Sequence, residues 1–268
     1  MRRRFFVTAA LAASSCSRRG RDGRLRTVSV GLTNHLSVSS VHLADECGHF
    51  RTAGFEFKPI QLTPLQAVPL LADGKLDVFL GGISPSLTNA VAKGMPVRVV
   101  AGREYTSPSC GEGYVMYAHR GAFGHGAVDP KRLKGKRFSV RVRGITEYIL
   151  DSFLKAHGMT LEDVQRVDLP LSESLAALAG NKVDAVFDIE TSRSPLAVSP
   201  DIVKVWRYSS IQPFHQYSFI VFGGSMLREE TGPGSRFLAA YLKGANEFLD
   251  GRTPRFMREF AAKHQLDV

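Results

Sequence analysis

Short β-rich runs alternate with helical stretches from Arg26 onward, and the alternation restarts near residue 136. In the first block, residues 26–31 and 55–60 read as strands. A helix runs from Ser37 through Val41, Leu43, Ala44 and Cys47 to Gly48, and a second over 65–72 closes at Asp73-Gly74. Residues 76–80 form a buried strand, Ser84 caps a helix with Pro85 in its first turn, and 97–101 is another strand. In the second block, strands at 136–142, 166–169, 183–187 and 203–206 flank helices at 146–157 and at 172–179, the latter with a serine cap. The chain then runs through an apolar strand at 217–222 into helices at 236–249 and 254–263. Strands alternating with helices at this spacing imply parallel sheet and an α/β fold. Two such units predict two α/β lobes with a cleft between them.

The amino terminus has the three-part layout of a secretory signal: Met1-Arg2-Arg3-Arg4, an apolar run from Phe5 to Ala13, and the small residues Ala13-Ser14-Ser15 before Cys16. Bacterial lipoprotein signals end the same way, so Cys16 is the expected site of lipidation and cleavage, with Ala13 where leucine is usual. Arg2-Arg3-Arg4-Phe5-Phe6 also resembles a twin-arginine signal, which leaves both export routes open. The apolar run is about nine residues, against roughly twenty needed to span a bilayer. An exported chain is expected, in the periplasm or tethered to a cell-envelope membrane.

The formal charge of +10 does not mark a nucleic-acid binder. Residues 1–26 hold eight arginines against Asp22, which accounts for +7 and leaves the remainder nearly balanced, without a basic stripe. Residues 17–26 read as a basic spacer able to lie on an anionic membrane surface. Beyond Cys16 the chain has Cys47 and Cys110, which either pair in an oxidising compartment or remain two buried thiols. No CxxC, HExxH or clustered His/Cys spacing signals a metal, and no cofactor is expected.

Several motifs, taken in order, resemble one family. Leu70-Leu71-Ala72-Asp73-Gly74-Lys75-Leu76-Asp77 is similar to its "aLlaGklDv" run, Gly82-Ile83-Ser84-Pro85 to its "GxSP" turn, and Ala92-Lys93-Gly94-Met95-Pro96-Val97 to "akGxPv". Leu133-Lys134-Gly135-Lys136, residues 157–164 and Ala177-Leu178-Ala179-Gly180-Asn181-Lys182-Val183-Asp184-Ala185 continue the match. The family is that of the solute-binding proteins of ABC importers, in the branch for nitrate, sulfonate, taurine and thiamine-pyrimidine precursors. At 188–191 the chain lacks the proline of the family's "wEP"-like turn.

The resemblance implies a type II periplasmic-binding-protein fold, with residues 27–110 and 213–268 in one lobe and 111–212 in the other. It implies a monomeric receptor that hands a small anionic or aromatic, heterocyclic ligand to a permease and its ATPase. Ligands of open α/β sheets sit beyond the carboxyl ends of strands, where helix N-termini offer N–H groups. The candidate ligand loops are therefore Asn34-His35-Leu36-Ser37, the turn holding Gly82, Ser84 and Ser86, the turn holding Gly144, Thr146 and Glu147, and Asp188 with Glu190. Helix capping is the plain alternative for Ser84 and Thr146. Arg103 is a further candidate as an anion partner, with surface pairing as its plain role. Tyr105 and Tyr217 are candidates to sandwich a planar ligand, with core packing as theirs, and His215 lies beside them. If Asp188, Glu190 and Glu147 face the cleft, a ligand with an amine or ring N–H fits better. The competing class is a fold-related lyase or synthase acting on a small aromatic or pyrimidine substrate. The pyrimidine synthases that resemble this family carry a "CCCFC" run, whereas here Cys110 stands between Ser109 and Gly111.

Overall fold

A computed structural model describes residues 24–33, 36–107, 113–123, 130–189, 200–228 and 232–250, with Glu259 and Ala262. The chain opens with β1 (Arg26–Leu32), α1 (Ser39–Glu46), α2 (His49–Thr52), β2 (Phe55–Gln61), α3 (Pro64–Ala72), β3 (Val78–Gly81), α4 (Pro85–Ala92) and β4 (Val97–Tyr105). It crosses to β5 (Tyr114–His119), α5 (Arg120–Phe123), β6 (Arg137–Val140), α6 (Ile145–Ala156), β7 (Gln165–Asp168), α7 (Leu171–Ala179), β8 (Ala185–Ile189) and β9 (Ile202–Arg207). It then returns through β10 (Gln216–Gly223) and α8 (Pro233–Leu249).

The strands form two five-stranded sheets, ordered β2-β1-β3-β10-β4 and β7-β6-β8-β5-β9. The β1–β2, β1–β3, β6–β7 and β6–β8 pairs are parallel, as expected. The sheets are nonetheless mixed, because β10 runs antiparallel to β3 and β4, and β5 antiparallel to β8 and β9. A strand that enters a lobe from the other lobe arrives at the edge where the local strands end, so it must run backwards. β5, at 114–119, lies between β8 and β9 and is not among the strands expected from the sequence.

The central strands β3 and β10 of the first sheet and β5, β6 and β8 of the second are buried on both faces, which explains their near-continuous apolar runs, whereas the edge strands β2, β4, β7 and β9 are mostly half-buried or exposed. On one face of the first sheet Val28, Val30, Val78, Leu80, Ile220 and Phe222 pack with residues of α1, α2 and α8. On the other, Phe79 and Val221 pack with α3 and α4. Side chains one residue apart point to opposite faces, so each strand serves both layers. The second sheet repeats the plan, with Met116, Phe138 and Phe187 facing α6 and Tyr117 and Val186 facing α7. At Gly244 in α8 an added Cβ would lie 2.4 Å from the Ala44 Cβ and 2.6 Å from the Ser40 carbonyl oxygen, so this glycine sets how closely α8 approaches α1.

One device ties the base of each lobe. Asp77 Oδ2 accepts from the Ser29 N–H (2.9 Å) and hydroxyl (2.8 Å), while the Asp77 N–H donates to the Ser29 carbonyl (3.2 Å) and Arg26 pairs with Oδ1 (3.2 Å). In the second lobe Asp184 Oδ2 accepts from the Arg137 N–H (2.8 Å), the Asp184 N–H donates to the Arg137 carbonyl (2.8 Å), and the Arg137 guanidinium pairs with Oδ1 (2.9 Å). The aspartates of the Lys75-Leu76-Asp77 and Lys182-Val183-Asp184 runs thus clasp the first parallel strand of their own lobe.

Several local expectations are corrected. The stretch from Ser37 to Gly48 is not one helix: Leu36–Val38 is a 3₁₀ turn, and left-handed Gly48 separates α1 from α2. The N-cap of α7 is Pro170 with no side-chain cap, and Ser172 lies inside the helix. A capping box of Thr63 and Gln66, missed in the sequence, starts α3. Cys47 is exposed, so the pair of buried thiols does not hold, and Cys110 lies outside the described residues. Most of the expected 254–263 helix and the whole expected leader, Cys16 included, lie outside them too. No helix among the described residues is long and apolar enough to cross a membrane.

Candidate functional site

The topology brings two carboxyl-end edges together. β3 and β4 end beside the start of β10, where Gln216 pairs with Tyr105 and Phe219 with Gly81, and β1 ends alongside β3, Leu32 pairing with Leu80. In the second sheet β8 and β9 end beside the start of β5, where Tyr114 pairs with Ile189 and Val115 with Arg207. Both crossings between lobes, from β4 to β5 and from β9 to β10, leave from these edges. They are tied together, since Thr106 Oγ1 donates to the Gln212 carbonyl (2.8 Å) and the Thr106 N–H to the His215 carbonyl (2.9 Å).

Arg103 organises the first-lobe edge. Its side chain is only 4% exposed, so surface pairing does not describe it. Nη1 donates to the Ser37 carbonyl (2.7 Å), Nη2 to the Ser37 hydroxyl (3.2 Å), and Nε and Nη2 to the Ser218 hydroxyl (3.1 and 2.8 Å). Arg103 also forms an ion pair with Glu104. Glu104 Oε1 is shut off from solvent and engages Arg103 by charge, without an aligned hydrogen bond. The turn after β3 adjoins this cluster. Ser84 caps α4 by accepting from the Leu87 N–H (3.4 Å), and its hydroxyl lies 2.8 Å from that of Ser86. A Cβ on Gly82 would stand 3.5 Å from the Tyr217 carbonyl oxygen, which places this turn beside the start of β10.

From the second lobe, Tyr114 meets Tyr217 edge-to-face with ring centroids 5.7 Å apart. Burial raises the Tyr114 phenol well above its ordinary pKa, and the nearby Tyr217, Glu104 and Asp188 raise it further. The phenol therefore stays protonated, with two carboxylates close to it. Asp188 is buried at the end of β8. Farther along the join, His215 stacks on Tyr148 (5.5 Å) and meets Tyr208 edge-on (5.4 Å). Burial depresses the His215 pKa, favouring the neutral ring.

The turn before α6 differs from expectation. Gly144, not Thr146, is the N-cap, and the Thr146 hydroxyl accepts from the Arg141 N–H (2.8 Å). Glu147 Oε2 accepts from the Arg143 N–H (2.7 Å) and Oε1 pairs with Arg166 (2.6 Å). Arg143 itself has φ of 61°, a left-handed conformation that costs a non-glycine residue energy and that the Glu147 bond helps hold. Arg143, Gly144, Glu147 and Tyr148 line a shallow depression of about 330 Å³ with Asp151 and Leu161, on the flank of α6 rather than between the sheets.

The structure thus gathers Ser37, Gly82, Ser84, Ser86, Arg103 and Tyr217 on the first-lobe side and Asp188 on the other. Gly144, Thr146 and Glu147 follow β6 and shape their own turn. Tyr105 is 53% exposed and tilts against the exposed Phe214, 6.3 Å between centroids. Asn34, His35 and Glu190 lie outside the described residues, as does the Leu36 side chain. Sequence reasoning missed Glu104 and Tyr114. Glu104 was legible as the neighbour of Arg103, whereas Tyr114 follows a stretch with no periodic pattern.

Comparison with known proteins bears on the whole arrangement. The family model described as NMT1/THI5 like matches residues 35–251. Among solved structures, the alkanesulfonate-binding protein SsuA from Xanthomonas axonopodis pv. citri, bound to MOPS, is 18% identical. That match covers 91% of this chain and 81% of the other, with a TM-score of 0.66. The periplasmic aliphatic sulphonate binding protein SsuA from Escherichia coli is 15% identical over 90% of this chain and 75% of that one, with a TM-score of 0.71. A Candida albicans protein described as having the generic periplasmic binding protein structural fold is 13% identical over 91% and 77% of the two chains, with a TM-score of 0.65. No curated protein matches.

Proposed function

Because the chain belongs to the NMT1/THI5-like family, we propose that it is the exported solute receptor of an ABC importer, capturing a small molecule between its lobes and delivering it to a permease and ATPase. The observation that carries this reading is the joined pair of strand-end edges, with serine hydroxyls, the α4 N-terminus and two facing tyrosines at the join. Supporting it, the solved structures of the same fold include sulfonate-binding proteins. Catalysis is not part of this reading.

Asp188 and the Tyr114–Tyr217 pair shape the ligand we propose. Asp188 beside a protonated phenol repels a bare anion and accepts from N–H donors, while the Glu104 charge is met by Arg103. A planar heterocycle bearing amine or ring N–H groups fits the Tyr114–Tyr217 pair, and an anionic tail fits the α4 N-terminus, whose unpaired N–H groups favour negative charge. A thermal-shift panel of taurine, alkanesulfonates, nitrate, aminopyrimidines and aromatic carboxylates tests this, since a ligand of the folded state raises stability by mass action. The expected result is a concentration-dependent shift with aminopyrimidines or amine-bearing sulfonates. Stabilisation by nitrate or plain alkanesulfonates alone contradicts the ligand assignment, and turnover of any stabilising compound contradicts the receptor.

A further inference from the structure

Away from the cleft, at the end of α1 opposite Ser37, three side chains of metal-ligating type converge. Cys47 is the C-cap of α1, His49 opens α2, and Glu247 lies on α8. Gly48 between them adopts φ of 71°, a left-handed turn that sharply redirects the chain between Cys47 and His49. Each residue offers one ligand atom, and the three atoms lie within 4.8 Å of one another.

A second observation points into the same spot. His49 Nε2 is buried and has no hydrogen-bond partner, an uncommon condition for a buried polar atom. It faces Glu247 Oε1 at 3.6 Å, too long for a hydrogen bond. That separation is nevertheless what two ligands of one tetrahedral ion show, roughly 3.3–3.8 Å for metal–ligand bonds of about 2.0–2.3 Å.

We propose that Cys47, His49 and Glu247 bind a zinc-class divalent cation that pins α8 to the α1–α2 corner. The donor set decides the class. Thiolate, imidazole and carboxylate suit zinc or cobalt, whereas magnesium and calcium prefer oxygen alone. Cys47 is exposed, so the fourth coordination position opens to water. Binding deprotonates the thiol, and affinity therefore falls with pH.

Cobalt(II) titration of the full chain, with its thiols kept reduced by a non-thiol reductant, tests the site. The expected result is a saturable thiolate-to-cobalt charge-transfer band, displaced by zinc, with zinc also raising the melting temperature. Cys47→Ser, at an exposed position, should abolish the band and the zinc-dependent rise while leaving the metal-free melting temperature unchanged. Glu247→Gln should weaken cobalt binding at least about tenfold, the scale on which even supporting residues affect metal affinity. No band in the wild-type chain, a band retained in Cys47→Ser, or equal affinity in Glu247→Gln would each overturn the proposal.

Discussion

Tyr114 of the second lobe stands edge-on to Tyr217 of the first, with ring centroids 5.7 Å apart, at the point where both sheets present their strand ends. Asp188 is buried beside this junction and raises the Tyr114 phenol pKa, and it gives the junction an acceptor for an N–H-bearing ligand, whereas the Glu104 charge is met by Arg103. Asp188→Asn should therefore weaken an aminopyrimidine-class ligand by about 1–3 kcal/mol, the scale of a lost charge-assisted hydrogen bond. Calorimetry measures it. Tighter binding in the variant would assign the site to an anion.

Arg103 bridges Ser37 and Ser218 while pairing with Glu104, so it stabilises the edge on which the site is built. Removing one partner of a buried ion pair leaves the other charge uncompensated and costs about 3–5 kcal/mol. Arg103→Ala should lower unfolding stability on that scale, and Arg103→Lys should lose part of it because one ammonium cannot reproduce the fork. Urea unfolding reads both. A loss under about 0.5 kcal/mol, typical of surface positions, would show that the network does not stabilise the fold.

Asp77 and Asp184 predict where acid acts. Burial alone would raise both carboxyls, yet hydrogen bonds from Ser225 and Ser29 with the Arg26 charge hold Asp77 below its ordinary value, and Arg137 does the same for Asp184. A depressed folded-state pKa contributes stability that is present above the unfolded value, near 4, and is lost as pH falls through the folded one. Melting temperature should therefore drop steeply below about pH 4. Asp77→Asn and Asp184→Asn should be destabilised at pH 7 and show a shallower decline in acid. An identical acid profile in the variants would remove the clasps from the account.

The order of strands and helices was legible because strands buried on both faces read as apolar runs and the helices between them as amphipathic. Direction was not, since nothing in Tyr217 to Phe222 distinguishes an antiparallel strand from a parallel one. The Asp77 and Asp184 runs stand out in the sequence as motifs, but their role as clasps depends on contacts 48 and 47 residues distant in sequence. Ser84 was readable as a cap because Pro85 follows it. Thr146 misled because Gly144 can cap as well, and the arginine–glutamate turn before α6 holds the threonine for another purpose.

We propose that residues 1–16 act as a lipoprotein signal, and this carries its own prediction. With Cys16 as the lipidated residue, Cys16→Ser should release the mature chain from membranes or leave the precursor uncleaved. Fractionation and mass spectrometry of the amino terminus read this outcome. A soluble wild-type chain beginning well past residue 16 would contradict it.

Closure tests the central claim most directly. Contacts from both lobes favour the shut form, so ligand should shift the population toward it. Small-angle scattering of the chain, with and without the compound that stabilises it most, should show a smaller radius of gyration when bound. An unchanged radius at saturating ligand, with affinity insensitive to substitutions in one of the two lobes, would contradict a site between them.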